Sequence, residues 1–333
     1  MSQEDEGREA AGMAAAPTRT PPSETRLLPP PWTAALIAAR WYVRYGPGMR
    51  PKRALLREWL EVGLQQNPRR SRIVRTRHGV HMRVSTTKDF ITRSIYSTGS
   101  WEPCVSAFIA SRLRPGDGFI DVGSNVGYYA LLASRFVGRQ GAVVAIEPMP
   151  DIHKELLANL ALNHVENIRV VRAAVTSEPG EVTLYVPHTG NLGATTMVQP
   201  NRHEAKFVVP GLPLAQVVTA TELRRARIIK IDVEGAEGVV LASLAPMLDQ
   251  LRPECEIVVE ISPERLAATG NSADRLLAPF TEYGLHPYKL VNPYVPEFFP
   301  ELIRRPAKPT RITDAIETQT DIVLSRIDAD TLA

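Results

Sequence analysis

Phe119-Ile-Asp-Val-Gly-Ser-Asn-Val-Gly127 is the stretch that decides the fold. An apolar run of strand length, Gly118–Val122, ends in a turn carrying Gly123 and Gly127, and a helix is expected over Val126–Phe136. Glycine at those positions lets the backbone approach a ligand and lets the helix approach the strand. Working outward, further strand-length runs fall at Ala142–Glu147, Ile168–Val175, Ile228–Val233 and Glu256–Ile261, with shorter ones at Pro287–Val291 and Asp321–Ser325. Helical patterns separate them at Pro150–Leu162, Ala236–Leu244 and Ser272–Tyr283. Short Val- and Ile-rich runs alternating with amphipathic helices predict a doubly wound α/β domain around a buried, mostly parallel sheet. It is expected to span about 91–330, with an elaboration at about 182–220 where a simple crossover needs only a helix.

The turn is selective about its ligand. It lacks the G-x-G-x-x-G spacing that admits a pyrophosphate, because Asn125 stands where the second glycine would be. Asp121 at its mouth repels a phosphate and suits an ammonium. Glu147 ends the next strand, at the distance where an acid pairs with ribose hydroxyls in nucleoside-binding folds. Asp121, Gly123, Asn125, Gly127 and Glu147 together point to an adenosyl ligand that carries an amino acid.

Four blocks, Asp121-Val-Gly-Ser-Asn-Val-Gly-Tyr-Tyr129, Glu147-Pro148, Asn159 with Asn163, and Lys230-Ile-Asp-Val-Glu-Gly-Ala-Glu237, resemble the FkbM-type methyltransferases. Tyr96-Ser-Thr-Gly-Ser-Trp-Glu-Pro103 is similar to the segment that precedes the fold in that family. The resemblance covers roughly residues 85–290. It implies a class I (Rossmann-like) methyltransferase sheet, S-adenosylmethionine as donor, and O-methylation of a sugar or secondary-metabolite hydroxyl. It also implies that Glu102 and Thr98 help close the methionine end of the cofactor site.

An alcohol is a poor nucleophile until its proton has somewhere to go, so a positioned base is expected. Asp232, closing the strand beside the cofactor strand, is the first candidate, and Glu260 on the next strand could share its rim. Lys230 lies two residues before Asp232 and so on the same strand face, where the two can pair or hold substrate. Glu234 follows in the turn, and Glu237 reads as a helix-start carboxylate favoured by the dipole. His188 is a candidate base in the elaboration, and Asn191 matches a loop of the resembled family on the substrate side. Asn292-Pro293-Tyr294 is similar to an Asn-Pro-Pro-Tyr amine-methylation signature, but it lacks a proline and follows the wrong strand; it reads as a turn, which counts against DNA as substrate. Asp232 and Glu260 could be recruited to a divalent metal, though no tight ligand cluster demands one.

The rest of the chain bounds the context. Cys104 and Cys255 form no framework, which fits a reducing cytoplasm. The acidic start, Met1 to Glu6, is unlike a secretory signal, and no run is apolar enough to cross a bilayer. Residues 1–30 read as a disordered tail and 31–90 as a basic helical and hairpin extension, the hairpin turning at His78-Gly79. Between Arg40 and Arg93 basic residues far outnumber Glu58, Glu61 and Asp89, while the net charge is only +3, so the remainder is acidic. The extension reads as a cap with solvated arginines or, alternatively, as a surface over residues 32–66 for anionic lipid at the inner membrane face. An RNA methyltransferase, a non-catalytic scaffold keeping the fold, and, last, an NAD-dependent oxidoreductase are the rival functions.

Overall fold

The computed structural model describes residues 31–66, 69–86, 89–187, 203–268 and 270–333; the expected tail lies outside them, as do His188 and Asn191. The first elements form a helical hairpin. Helix α1 (Pro31–Tyr45) buries Leu36, Ala39 and Val43, and the return run buries Leu56, Leu60 and Leu64. That run consists of α2 (Met49–Ala54), a π turn over Leu55–Leu60, and α3 (Glu61–Gln66). Strands β1 (Arg69–Arg75) and β2 (His81–Thr86) pair antiparallel as expected. Two helices then appear that periodicity did not suggest, α4 (Phe90–Thr98) and α5 (Pro103–Arg112). The first is rich in Ser, Thr and Ile, weak helix formers, but Asp89 caps it by accepting from Thr92 N at 2.8 Å.

Two arginines of α1 turn inward, contrary to the simplest expectation, while Arg50 and Arg57 in the return run are exposed as expected. Arg44 is buried and donates to the carbonyls of Arg75 and Ile95, and Arg40 donates to the carbonyl of Tyr96. The end of α4 leaves carbonyls without helical partners, and the guanidiniums satisfy them.

The main sheet follows: β3 (Gly118–Val122), α6 (Tyr128–Val137), β4 (Ala142–Ile146), α7 (Pro150–Asn163) and β5 (Ile168–Val171). The expected strand Ile168–Val175 is broken; its end, β6 (Ala174–Val175), leaves to join β7 (Gly180–Pro187) and β8 (His203–Leu212) in a three-stranded sheet, which is the elaboration. After α8 (Leu214–Val217) and α9 (Ala220–Arg225) come β9 (Ala226–Ile231), α10 (Glu237–Leu244), β10 (Glu256–Ile261), α11 (Pro263–Ala268), α12 (Ala273–Glu282), β11 (His286–Leu290), α13 (Phe299–Arg304), β12 (Thr310–Arg311) and β13 (Thr320–Ser325). The order is β12-β11-β13-β10-β9-β3-β4-β5. β5, β4, β3, β9 and β10 run parallel, and β13 is antiparallel to both its neighbours. This is the doubly wound class I methyltransferase arrangement, with one reversed strand inserted near the edge.

Period-two alternation sorts the core. Phe119, Ile228, Val258 and Val323 face a layer shared with α5, α6 and the N-terminal hairpins, while Ile120, Ile229, Val259 and Ile322 face α9, α10 and α12. The extension therefore completes the core on one side of the sheet. Asn159 and Asn163 of the resembled blocks serve this docking. Asn159 accepts from Arg83 N and donates to Val126 O, and Asn163 exchanges bonds with the backbone of His81, so both tie β2 to α7.

Candidate active site

The turn after β3 is built for close approach. Gly123 has φ 87°, donates to Ile146 O, and a Cβ there would sit 1.8 Å from Asp232 O, so only glycine fits. Gly127, φ 86°, lets α7 pack over the helix start, where a Cβ would meet Leu156 Cδ1 at 2.8 Å. Asn125 takes a left-handed φ of 51°, and its N–H donates to Glu147 Oε2 at 2.9 Å. Glu147 Oε1 accepts from Met149 N at the same distance.

Two cavities meet at Gly123 and Asn125. The first is an apolar slot between Ile146, Met149, Ile152, Val175 and Leu184, with Glu147 on its wall. The elaboration supplies Leu184, so it builds part of this slot. The second lies among Trp101, Glu102, Tyr129, Lys230, Glu260 and Tyr294. Asp232 and Glu234 line both. Among the described residues the lining thus holds five acids and one base, Lys230, and their field favours a cation.

Burial keeps these acids protonated more readily than in water. It pushes Glu147 up to about 7 and Glu102 up to about 7, the latter helped by Asp232 and Glu260 and opposed by Lys230. Glu234 also reaches about 7, through burial and Asp232, against the pull of Arg265, which it pairs with at 2.6 Å. Asp121 lies just behind the lining, register partner of Lys230 across β3 and β9. It is fully buried, neither oxygen has a hydrogen-bond partner among the described residues, and burial lifts it to about 6 despite the charge of Lys230. Lys230 itself is buried 2.8 Å from Asp232 and 4.6 Å from the Tyr129 ring centre. Burial alone would lower its proton affinity, but Asp232, Glu102 and Asp121 together raise it.

A tyrosine links the far acids. Tyr294 Oη is 2.9 Å from Glu102 Oε1 and 2.9 Å from Glu260 Oε1, and Tyr129 donates to Glu102 Oε2. One hydroxyl hydrogen cannot serve two carboxylates, so one of the pair holds a proton and donates it back. Glu260 stands opposite Asp321 across β10 and β13, and burial with Glu102 and Glu260 nearby holds Asp321 well above the carboxylate range. Gln319 donates to Glu260 at 2.7 Å.

The structure therefore gathers Gly123, Asn125, Glu147, Glu102, Lys230, Asp232, Glu234 and Glu260 around one pair of cavities, with Asp121 and Gly127 supporting them. Thr98 is not among the lining residues; its hydroxyl donates to Ser94 O at 2.9 Å, accepts from Ser100 N, and finishes α4. Glu237 accepts from Gly235 N, as a helix-start acid should. The Asn292–Tyr294 segment is the irregular turn expected, and Asn292 accepts from Cys104 N at the start of α5. Tyr294, passed over in that turn, enters the site, as do Tyr129, Trp101, Arg265 and Gln319. Among the described residues no group of three or more His, Cys, Asp and Glu is arranged to hold a metal ion.

The Asp121 oxygens without partners, the Gly123 turn that no side chain could occupy, and the acid-rich lining all fit an adenosyl ligand with a sulfonium and an ammonium. The chain resembles methyltransferases in sequence. The methyltransferase FkbM domain model matches residues 121–286. "Methyltransferase 1" of Beauveria bassiana is 27% identical over 151 residues, 39% of this chain and 59% of that protein. The protein-L-isoaspartate O-methyltransferase of Methanococcus aeolicus is 24% identical over 122 residues, 35% of this chain and 56% of that protein. The chain thus spans less than two thirds of the length of these curated relatives. Among solved structures, the methyltransferase FkbM from Methylobacillus flagellatus aligns at 12% identity with a TM-score of 0.35, covering 84% of this chain and 63% of that one. Through residues 121–286, the chain belongs to the FkbM methyltransferase family.

Proposed function

We propose that the protein transfers a methyl group from S-adenosylmethionine to a hydroxyl oxygen of a sugar, glycolipid or secondary metabolite. The observation that carries this reading is the meeting of an apolar slot and an acid-lined cavity at Gly123 and Asn125, with a single lysine among the lining charges. The slot suits an adenine ring. Each Glu147 oxygen already accepts one backbone N–H, and a carboxylate oxygen can accept a second bond, so Glu147 retains capacity for ribose hydroxyls. Glu102 suits the cationic end, and Asp121 acts on it from behind the lining through the field alone.

When bound, the donor supplies an electrophilic methyl carbon; the chain contributes alignment, exclusion of water and a place for the acceptor's proton. Lys230 holds Asp232 at the junction of the cavities, where Asp232 can take that proton as general base. Glu260, tied to Tyr294 and Gln319, is the second candidate. Trp101 and Tyr294, with ring centres 5.9 Å apart, offer an aromatic wall of the kind that a sugar face packs on.

The test is calorimetric titration with S-adenosylmethionine, followed by mass spectrometry of metabolites from cells with and without the gene. Binding together with loss of a methylated hydroxy compound supports the reading. Absence of any heat or thermal shift favours a scaffold that keeps the fold. Methylated RNA as the lost product would replace the acceptor and keep the donor. Deleting residues 1–90 is a poor discriminator here, because the extension completes the core.

A further inference from the structure

We propose that the outer face of α1 rests on an anionic lipid bilayer, with headgroup phosphates meeting a guanidinium cluster at its flank. Ile37, Trp41 and Tyr45 recur every four residues, one stripe of a helix, and are 42%, 61% and 63% exposed. The opposite stripe, Leu36, Ala39 and Val43, is buried, so the helix is apolar on both sides with only one side covered by the described residues. The Trp41 and Tyr45 rings lie 6.0 Å apart. Amphipathic aromatic rings of this kind sit at headgroup depth, one end apolar and the other wet.

The charges beside the stripe select the occupant. Arg77 lies 5.7 Å from the Tyr45 ring and donates to Arg44 O and Thr98 O. Arg44 and Arg40 crowd it, and burial with this mutual repulsion pushes Arg44 down to about 10. Arg72 adds a fourth charge close enough to disfavour protonated Arg40. Among the described residues no carboxylate pairs with Arg40, Arg44 or Arg77; they donate to carbonyls at the end of α4 and of neighbouring backbone, and lie against Tyr45 and Tyr96. One helix end carries roughly half an elementary negative charge, against three guanidiniums. Arg44 Nε is buried with no hydrogen-bond partner among the described residues. An apolar aromatic stripe flanked by unneutralised arginines is complementary to a bilayer bearing phosphate and net negative charge. Among the described residues no helix is long and apolar enough to cross the membrane, so contact would be at the surface.

The test is co-sedimentation of the full chain with vesicles of phosphatidylcholine, with and without phosphatidylglycerol, at low and high salt. Binding is expected to the phosphatidylglycerol vesicles and to weaken with salt. The exposed double substitution Trp41→Ala/Tyr45→Ala should leave the melting temperature unchanged and weaken binding about tenfold or more. Arg72→Gln should weaken it roughly fivefold, the effect of one basic residue near an anionic surface. Failure to sediment at low salt overturns the proposal, as does binding that the double variant retains. Sedimentation velocity showing a wild-type dimer that the double variant dissolves would assign the stripe to a second copy and overturn it. Selective binding of a mixed-sequence RNA, lost in the same variant while vesicles are ignored, would overturn it as well.

Discussion

Asp121→Asn should make the ligand-free protein more stable and a poorer binder of S-adenosylmethionine. Asp121 is fully buried, its oxygens make no close hydrogen bond among the described residues, and burial raises it from an ordinary 3.8 to about 6 against the pull of Lys230. The folded state therefore binds this proton more tightly than the unfolded one. Below pH 3.8 both states hold it and it has no effect. As pH rises from 3.8 to 6 the unfolded chain releases the proton first, and stability falls along the way. Above 6 the loss is complete. At about 1.4 kcal/mol for each tenfold change in proton affinity, it amounts to roughly 3 kcal/mol at pH 8 and about half that at pH 5. An amide is a neutral isostere of the protonated acid and escapes this penalty, and Lys230 keeps Asp232 as a partner. Urea unfolding of wild type and variant at pH 5 and pH 8 reads the difference, and calorimetry reads the binding. A variant no more stable than wild type at pH 8, or an advantage that does not shrink at pH 5, would refute the account of Asp121 as an uncompensated buried charge.

Three other substitutions separate the parts of the site. Gly123→Ala forces a Cβ against Asp232 O at a left-handed φ, and should cost about 3 kcal/mol or more in urea unfolding together with cofactor binding. Asn159→Ala removes two bonds that tie the β hairpin to the turn; it should lower stability by about 2–4 kcal/mol while the folded fraction turns over normally. Asp232→Asn should lower kcat about a hundredfold or more with little change in affinity for the donor, and near-normal turnover would remove Asp232 as the base.

The succession of parallel strands along the chain was legible because most are short Val- and Ile-rich runs with a helix after them. The cofactor turn was legible because glycine at positive φ is a physical demand at Gly123 and Gly127, not a preference. The Lys230–Asp232 pair followed from strand alternation alone. What escaped depended on tertiary context. α4 has poor intrinsic propensity and is held by the Asp89 cap and by arginines from another helix. Arg40 and Arg44 look like solvent-facing charges in an amphipathic pattern, and only the carbonyl-rich end of α4 turns them inward. Asn159 and Asn163 stood out by resemblance, as a cofactor residue would, yet they carry the weight of a hairpin docked from 80 residues away in sequence.

The hardest residues to foresee were those brought in against the direction of the sheet. In a parallel sheet, side chains at the carboxyl ends of strands meet at one edge, which is why Asp121, Glu147 and Asp232 could be lined up from spacing alone. β13 runs the other way, so the part of it that reaches the same edge is its start. Gln319 and Asp321 therefore join Glu260 from a position where an ordinary strand-end search finds nothing. Tyr294 arrives the ordinary way, from the loop after the carboxyl end of β11, which runs with the parallel strands because it is antiparallel to β13. An acid placed opposite Glu260 on an antiparallel neighbour would be destabilising in a plain core. Its presence beside Glu102 and Glu260, with one tyrosine hydrogen between two carboxyls, gathers carboxyl groups that hold and share protons at the end of the cavity that the cationic part of a ligand would occupy. The reversed strand thus sets one more acid, Asp321, and the amide of Gln319 behind the acids that the parallel strand ends supply.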